Sequence, residues 1–96
     1  MKIATFRMLA KMKKSGVKLE PGRLYYFNDV LDFLRERHNI TITIYQDNQL
    51  VNETTYKNNC SIIKINYLNG IYQIKRHFNS YNEALKYGIE QALNYI

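Results

Sequence analysis

Hydrophobic residues change their spacing twice along this 96-residue chain, and the changes mark out its elements. From Ile3 to Ser15 the spacing is helical. At about 100° per residue, Ile3, Phe6, Met8, Leu9, Ala10 and Met12 share one broad apolar arc. Arg7, Lys11 and Lys14 stand on the other side, where separations of four and three place them on one ridge. Lys11, Lys13 and Lys14 also fall near the helix C-terminus, which favours cations. Gly16 is the predicted stop, since glycine accepts a left-handed cap. Pro21-Gly22 is a turn signal: proline fixes φ at the first central position and glycine tolerates positive φ at the second. Asn28 is the predicted cap of a second helix from Asp29 to about His38, with Asp29 and Asp32 at its positive end. Val30, Leu31, Phe33 and Leu34 form its buried side. Arg37 lies within that arc with its stem over the core, and Asn39 marks the exit.

At Ile40 the period becomes two. Ile40, Ile42 and Ile44 alternate with Thr41, Thr43 and Tyr45, the pattern of a half-buried strand. Asp47-Asn48 and Asn58-Asn59 are turn signals, and Leu50 to Tyr56 between them suits a short or irregular strand. Ser61 to Tyr67 alternates again, with Ile63, Ile65 and Tyr67 on one face. Asn69-Gly70 suits a type I′ hairpin turn, followed by a strand in which Tyr72, Ile74, Arg76 and Phe78 alternate with Ile71, Gln73, Lys75 and His77. The helical period returns at Ser80. Ser80 and Glu83 are spaced as a capping box, and Tyr81, Leu85, Gly88, Ile89, Ala92 and Ile96 form an apolar stripe opposite Lys86, Glu90 and Asn94. Gly88 costs such a helix about 1 kcal/mol relative to alanine, which points to close approach of the helix to the sheet.

The predicted fold is α+β, in the order α-α-β-β-β-α. A small antiparallel sheet of three or four strands is covered on one face by the helices near Asp29–His38 and Tyr81–Ile96. Leu34, Ile42, Ile44, Ile65, Ile74, Leu85, Ile89 and Leu93 are the expected core. Residues 1–23 form a basic helix and turn, and residues 24–96 a compact domain, together one folding unit.

Charge adds a second division. Lys2, Arg7, Lys11, Lys13, Lys14, Lys18 and Arg23, half of the chain's 14 lysines and arginines, precede residue 24, where the only acid is Glu20. The formal charge of +6 therefore resides in the N-terminal arm. Cys60 is alone, so no intrachain disulfide forms and a reducing compartment is expected. No apolar run approaches the roughly 20 residues of a membrane span, and the charges of residues 7–14 break any signal-peptide core. The expected location is the bacterial cytoplasm, with no membrane partner.

The sequence presents no catalytic signature. His38 and His77 are spaced like no ligand set, Cys60 has no acid or histidine beside it, and the four glycines form no phosphate loop. A non-enzyme without metal or cofactor is expected. Binding of a macromolecule fits better. Arg7, Lys11, Lys13, Lys14, Lys18 and Arg23 suit phosphates or an acidic protein surface. Phe6, Leu9 and Met12, with Tyr45 on the open sheet face, are the candidate protein interface, and the apolar arc also suits a homodimer.

Two resemblances follow from these residues. From Asn28 to Ile96 the order of elements is similar to the double-stranded-RNA-binding domain. That family grips phosphate with lysines at the start of its last helix. Here the corresponding stretch, Asn79 to Ala84, contains none, which disfavours conventional membership. Leu34-Arg35-Glu36-Arg37-His38, a short meander and Ser80-Tyr81-Asn82-Glu83-Ala84 resemble small uncharacterised proteins of bacteriophages and gut-bacterial mobile elements. That resemblance implies a phage-type accessory protein whose nucleic-acid contact would be the basic helix. The alternatives are an inhibitor or adaptor acting on a host protein, and a structural domain with no nucleic-acid role.

Overall fold

The computed structural model describes residues 2–47, 60–67, 70–78 and 80–96. Three helices, α1 (Phe6–Lys14), α2 (Phe27–His38) and α3 (Tyr81–Leu93), combine with strands β1 (Thr41–Asp47), β2 (Cys60–Tyr67) and β3 (Gly70–His77) in the order α1-α2-β1-β2-β3-α3. The strands form an antiparallel meander, β1-β2-β3. The α+β fold read from the periodicity is the observed one. The expected strand or turn features between Asn48 and Asn59 lie outside the described residues.

The first helix begins later than its pattern suggested. Lys2 to Ala4 is extended and pairs with Tyr25 to Phe27: the Ala4 N–H donates to the Tyr25 carbonyl (2.8 Å) and the Phe27 N–H to the Lys2 carbonyl (2.9 Å). Thr5 is then the cap, its Oγ1 accepting from the Met8 N–H at 3.3 Å. At the other end Gly16 takes φ +95°. The Gly16 N–H reaches the Lys13 carbonyl and the Val17 N–H the Met12 carbonyl, both at 3.1 Å, which is the paired closure of a Schellman motif. Gly22, at φ +80°, lies in the Pro21-Gly22 turn, closed by the Arg23 N–H on the Glu20 carbonyl at 3.3 Å.

The second helix starts two residues before the expected point. Tyr26, not Asn28, is its cap: the Tyr26 N–H donates to Asp29 Oδ2 at 2.7 Å while the Tyr26 carbonyl accepts from the Asp29 N–H. Phe27 is buried, so the helix gains an apolar contact by beginning there. Asn39 ends it with φ +54°, a conformation asparagine tolerates better than most residues.

Ile42 and Ile44 of β1 stand opposite Ile65 and Ile63 of β2, and Ile63 stands opposite Ile74 of β3. A type I′ turn centred on Asn69-Gly70 would pair residues 68 and 71. Instead Tyr67 pairs with Gly70 and Asn66 with Ile71, a shift of two residues. An even shift keeps every side chain on its expected face, whereas an odd one would turn the isoleucines out.

Helices α2 and α3 cover β1 and β2, and α1 packs on both helices. Met8, Val30, Leu34, Ile63, Ile65, Ile89 and Leu93 are the largest fully buried side chains. Leu85 is buried too, while Ile42, Ile44 and Ile74 are half-buried against this core. Tyr81, assigned to the apolar stripe, is exposed at the start of α3, and Ala84 and Leu93 are buried in that helix. Ser80 Oγ accepts from the Glu83 N–H at 3.2 Å.

Gly88 makes the close approach expected of it. A Cβ there would stand 3.0 Å from Ile63 Cγ2 and 3.1 Å from Ile42 Cγ2. The helix-propensity gain of Gly88→Ala, about 1 kcal/mol, is opposed by an overpacking cost of about 1–3 kcal/mol against two branched side chains. Urea denaturation should therefore show Gly88→Ala destabilised by about 1 kcal/mol, and Ile89→Ala by about 2–5 kcal/mol. A stabilised Gly88→Ala protein would contradict this contact.

Candidate functional site

The cations of α1 are held on a fixed helix and have no ion pair among the described residues. Arg7, Lys13 and Lys14 are exposed and Lys11 is half-buried. The spacing of Arg7, Lys11 and Lys14 sets them on one ridge. Ion pairs are described for Arg23 with Asp29 (3.7 Å) and Arg35 with Asp32 (2.6 Å), and none is described for the four cations of α1. Arg7 is steered by a hydrogen bond from its guanidinium to Asn94 Oδ1 (2.7 Å), just beyond the end of α3.

The remaining predicted cations divide. Lys18 is exposed beyond the Gly16 turn. Arg23 belongs to the start of α2: besides Asp29, its guanidinium lies 4.9 Å from the centre of the Tyr25 ring. Tyr25 is itself fixed, its hydroxyl accepting from the Glu20 N–H at 2.8 Å. Arg23 is therefore committed to the fold more than to the ridge.

The four predicted interface residues do not share a surface. Met12 is buried and Leu9 packs beside the core, so the chain itself covers the Met8, Leu9 and Met12 side of the apolar arc and leaves Ile3 exposed with the rest. Phe6 is 93% exposed and Ala10 is exposed beside it. The reason is rotational: pairing of residues 2–4 and the Thr5 cap turn Met8 inward, and Phe6 lies about 200° around the helix from Met8. Tyr45, 48% exposed, is on the sheet face away from the helices, with Lys64 Nζ 5.1 Å from its ring centre.

Sequence reasoning missed an aromatic cluster beside the end of α3. Tyr67 and Tyr95 stack with centroids 4.9 Å apart and planes 17° apart, and Tyr72 meets Tyr95 edge-on at 6.0 Å. Tyr72 and Tyr95 remain 41% and 45% exposed. Partial desolvation, then the neighbouring Tyr67 and Tyr72 phenols, push the Tyr95 phenol above its ordinary pKa. Further along β3, Arg76 lies 5.0 Å from the Tyr87 ring centre, and Phe78 packs on Tyr87 at 5.4 Å. No local motif signals these groupings, since hairpin residues meet a helix distant in sequence. The alternation that put Tyr72 and Arg76 on the face of Ile74 was the available clue.

The two histidines differ. His77 is exposed. At the end of α2, His38 Nε2 is enclosed without a hydrogen-bond partner among the described residues, and its ring meets Phe33 edge-on at 5.0 Å. An open cleft of about 460 Å³ is lined by residues including Lys2, Thr5, Phe27, Ser80, Glu83 and Lys86. The Thr5 and Ser80 hydroxyl oxygens in it accept capping hydrogen bonds. Among the described residues no group of three His, Cys, Asp or Glu is arranged to hold a metal ion, and no helix is long and apolar enough to cross a membrane. No protein family, no curated protein and no solved structure matches this chain.

The two faces of α1 predict opposite responses to truncation. Met8→Ala should cost about 2–5 kcal/mol in a denaturant melt, because Met8 is fully buried. Phe6→Ala should change stability by no more than about 0.5 kcal/mol. A large loss from Phe6→Ala would mean that the ring is covered in the folded protein.

Proposed function

We propose that this chain is a small non-enzymatic accessory protein of phage type that binds nucleic acid through Arg7, Lys11, Lys13 and Lys14, with Lys18 extending the contact. The observation that carries this reading is the fixed helix α1, whose ridge of Arg7, Lys11 and Lys14, like Lys13 elsewhere on the helix, has no described ion pair. Phosphates would replace the missing counter-charges, and release of condensed counterions would supply binding energy without reading base identity. Concentration of positive charge on one element also steers encounter with a polyanion and needs no enclosed pocket. The phage-type assignment and a bacterial cytoplasmic setting rest on the resemblance at Leu34–His38 and Ser80–Ala84.

Phe6 favours a second reading, an inhibitor or adaptor for a host protein. A ring 93% exposed among cations is suited to insert into an apolar pocket with an acidic rim. The same ring also leaves room for pairing with a second copy of the chain.

The readings separate in one titration series with fluorescent duplexes and single strands of DNA and RNA. For three phosphate contacts on a duplex, affinity should fall about 40-fold between about 50 and 200 mM salt. The triple variant Arg7→Ala, Lys11→Ala, Lys14→Ala should bind weakly and lose most of that salt dependence. Failure to bind any probe more tightly than about 100 μM at the lower salt would defeat the nucleic-acid reading.

A further inference from the structure

We infer that Tyr72 and Tyr95, backed by Tyr67, form a base-stacking shelf that adjoins the α1 ridge and selects single-stranded nucleic acid. The inference rests on the nucleic-acid reading of the ridge and narrows it to one form of substrate. Three observations support it. First, the rings are organised in advance: Tyr95 is stacked on Tyr67 and meets Tyr72 edge-on, so little rotamer freedom remains to be lost on binding. Second, they stay open. Helices α2 and α3 cover β1 and β2, leaving β3 at the margin, where Tyr72 and Tyr95 keep nearly half their surface in solvent. A purely structural cluster would gain more by closing over these rings.

Third, the shelf is joined to the cations through adjacent residues. Asn94 accepts the hydrogen bond from the Arg7 guanidinium at 2.7 Å, and Tyr95 follows it directly. Arg7 is thereby tied to the residue that precedes the stacked Tyr95, with Lys11 and Lys14 continuing along the same helix face. Cations beside exposed aromatic rings are the combination that holds a single strand: the backbone follows the charges and unpaired bases lie on the rings. A duplex keeps its bases stacked within the helix, so it can use the cations and not the shelf. Tyrosine suits this role because every base has a π-face, which gives binding with little sequence preference.

The test uses the full chain with fluorescent 12-nucleotide oligo-dT and oligo-U and a 12-base-pair duplex. Tyr72→Leu and Tyr95→Leu keep apolar bulk and remove the ring, whereas Tyr72→Phe and Tyr95→Phe keep the ring and remove the hydroxyl. Each leucine variant should weaken single-strand binding about tenfold, with phenylalanine variants near wild type and duplex binding unchanged. Tyr72 lies on the marginal strand and Tyr95 beyond α3, so the pair also guards against one variant misfolding. Single-strand affinity within about twofold of wild type for both leucine variants, or equal losses on duplex and single strand, would overturn the shelf. If the α1 triple variant alone abolished binding, the shelf would fall and the ridge stand. Absence of binding by any probe would overturn both.

Discussion

Two backbone hydrogen bonds set the placement of the basic arm, and the surface chemistry follows from them. The Ala4 N–H on the Tyr25 carbonyl and the Phe27 N–H on the Lys2 carbonyl join the extended start of the chain to the segment entering α2. A nine-residue helix is too short to persist in water by propensity alone. α1 therefore depends on this junction, on the Thr5 cap and on burial of Met8 and Met12. Once its start and rotation are fixed, Arg7 reaches Asn94 and Phe6 points away from the core. The Tyr25 hydroxyl accepting from the Glu20 N–H ties the intervening turn to the same junction.

A second constraint acts from the sheet. Gly88 lets α3 approach Ile63 and Ile42 closely, so α3 is centred over β1 and β2. The helix layer consequently leaves β3 partly bare, and Tyr72 and Arg76 find aromatic neighbours on α3 and the chain beyond it. Close packing at one end of the sheet and partial exposure at the other are consequences of the same placement. Tyr67, Tyr72 and Tyr95 pack as a group while keeping solvent-facing surface.

Much of the layout was legible wherever a local pattern coincided with burial. Ile40, Ile42 and Ile44 alternate because one face of β1 meets the helices, and Ser80 caps α3 through a hydrogen bond three residues away. Gly88 was legible as a close approach because a helix-weakening residue on an apolar face calls for a packing reason. Rotation of α1 was not legible, since it depends on pairing between residues 3 and 26. An apolar arc that included both Phe6 and Met8 could not show which residue would face the core. The contact of Arg7 with Asn94 spans 87 positions, and the Tyr67–Tyr72–Tyr95 cluster joins a hairpin to the end of the chain. Such tertiary contacts leave no local period to read.

Docking of the arm makes its cations a surface of defined shape instead of a diffuse charged tail, which would lose more conformational entropy on meeting a partner. Native-state hydrogen exchange resolved to single amides tests this most directly, because the Ala4 and Phe27 N–H groups report on the junction itself. A docked arm predicts both amides protected to a degree approaching those of Ile63 and Ile65 in the buried central strand. Exchange of Ala4 and Phe27 at unprotected rates, with the β2 amides still protected, would contradict it and return the charges to a free tail.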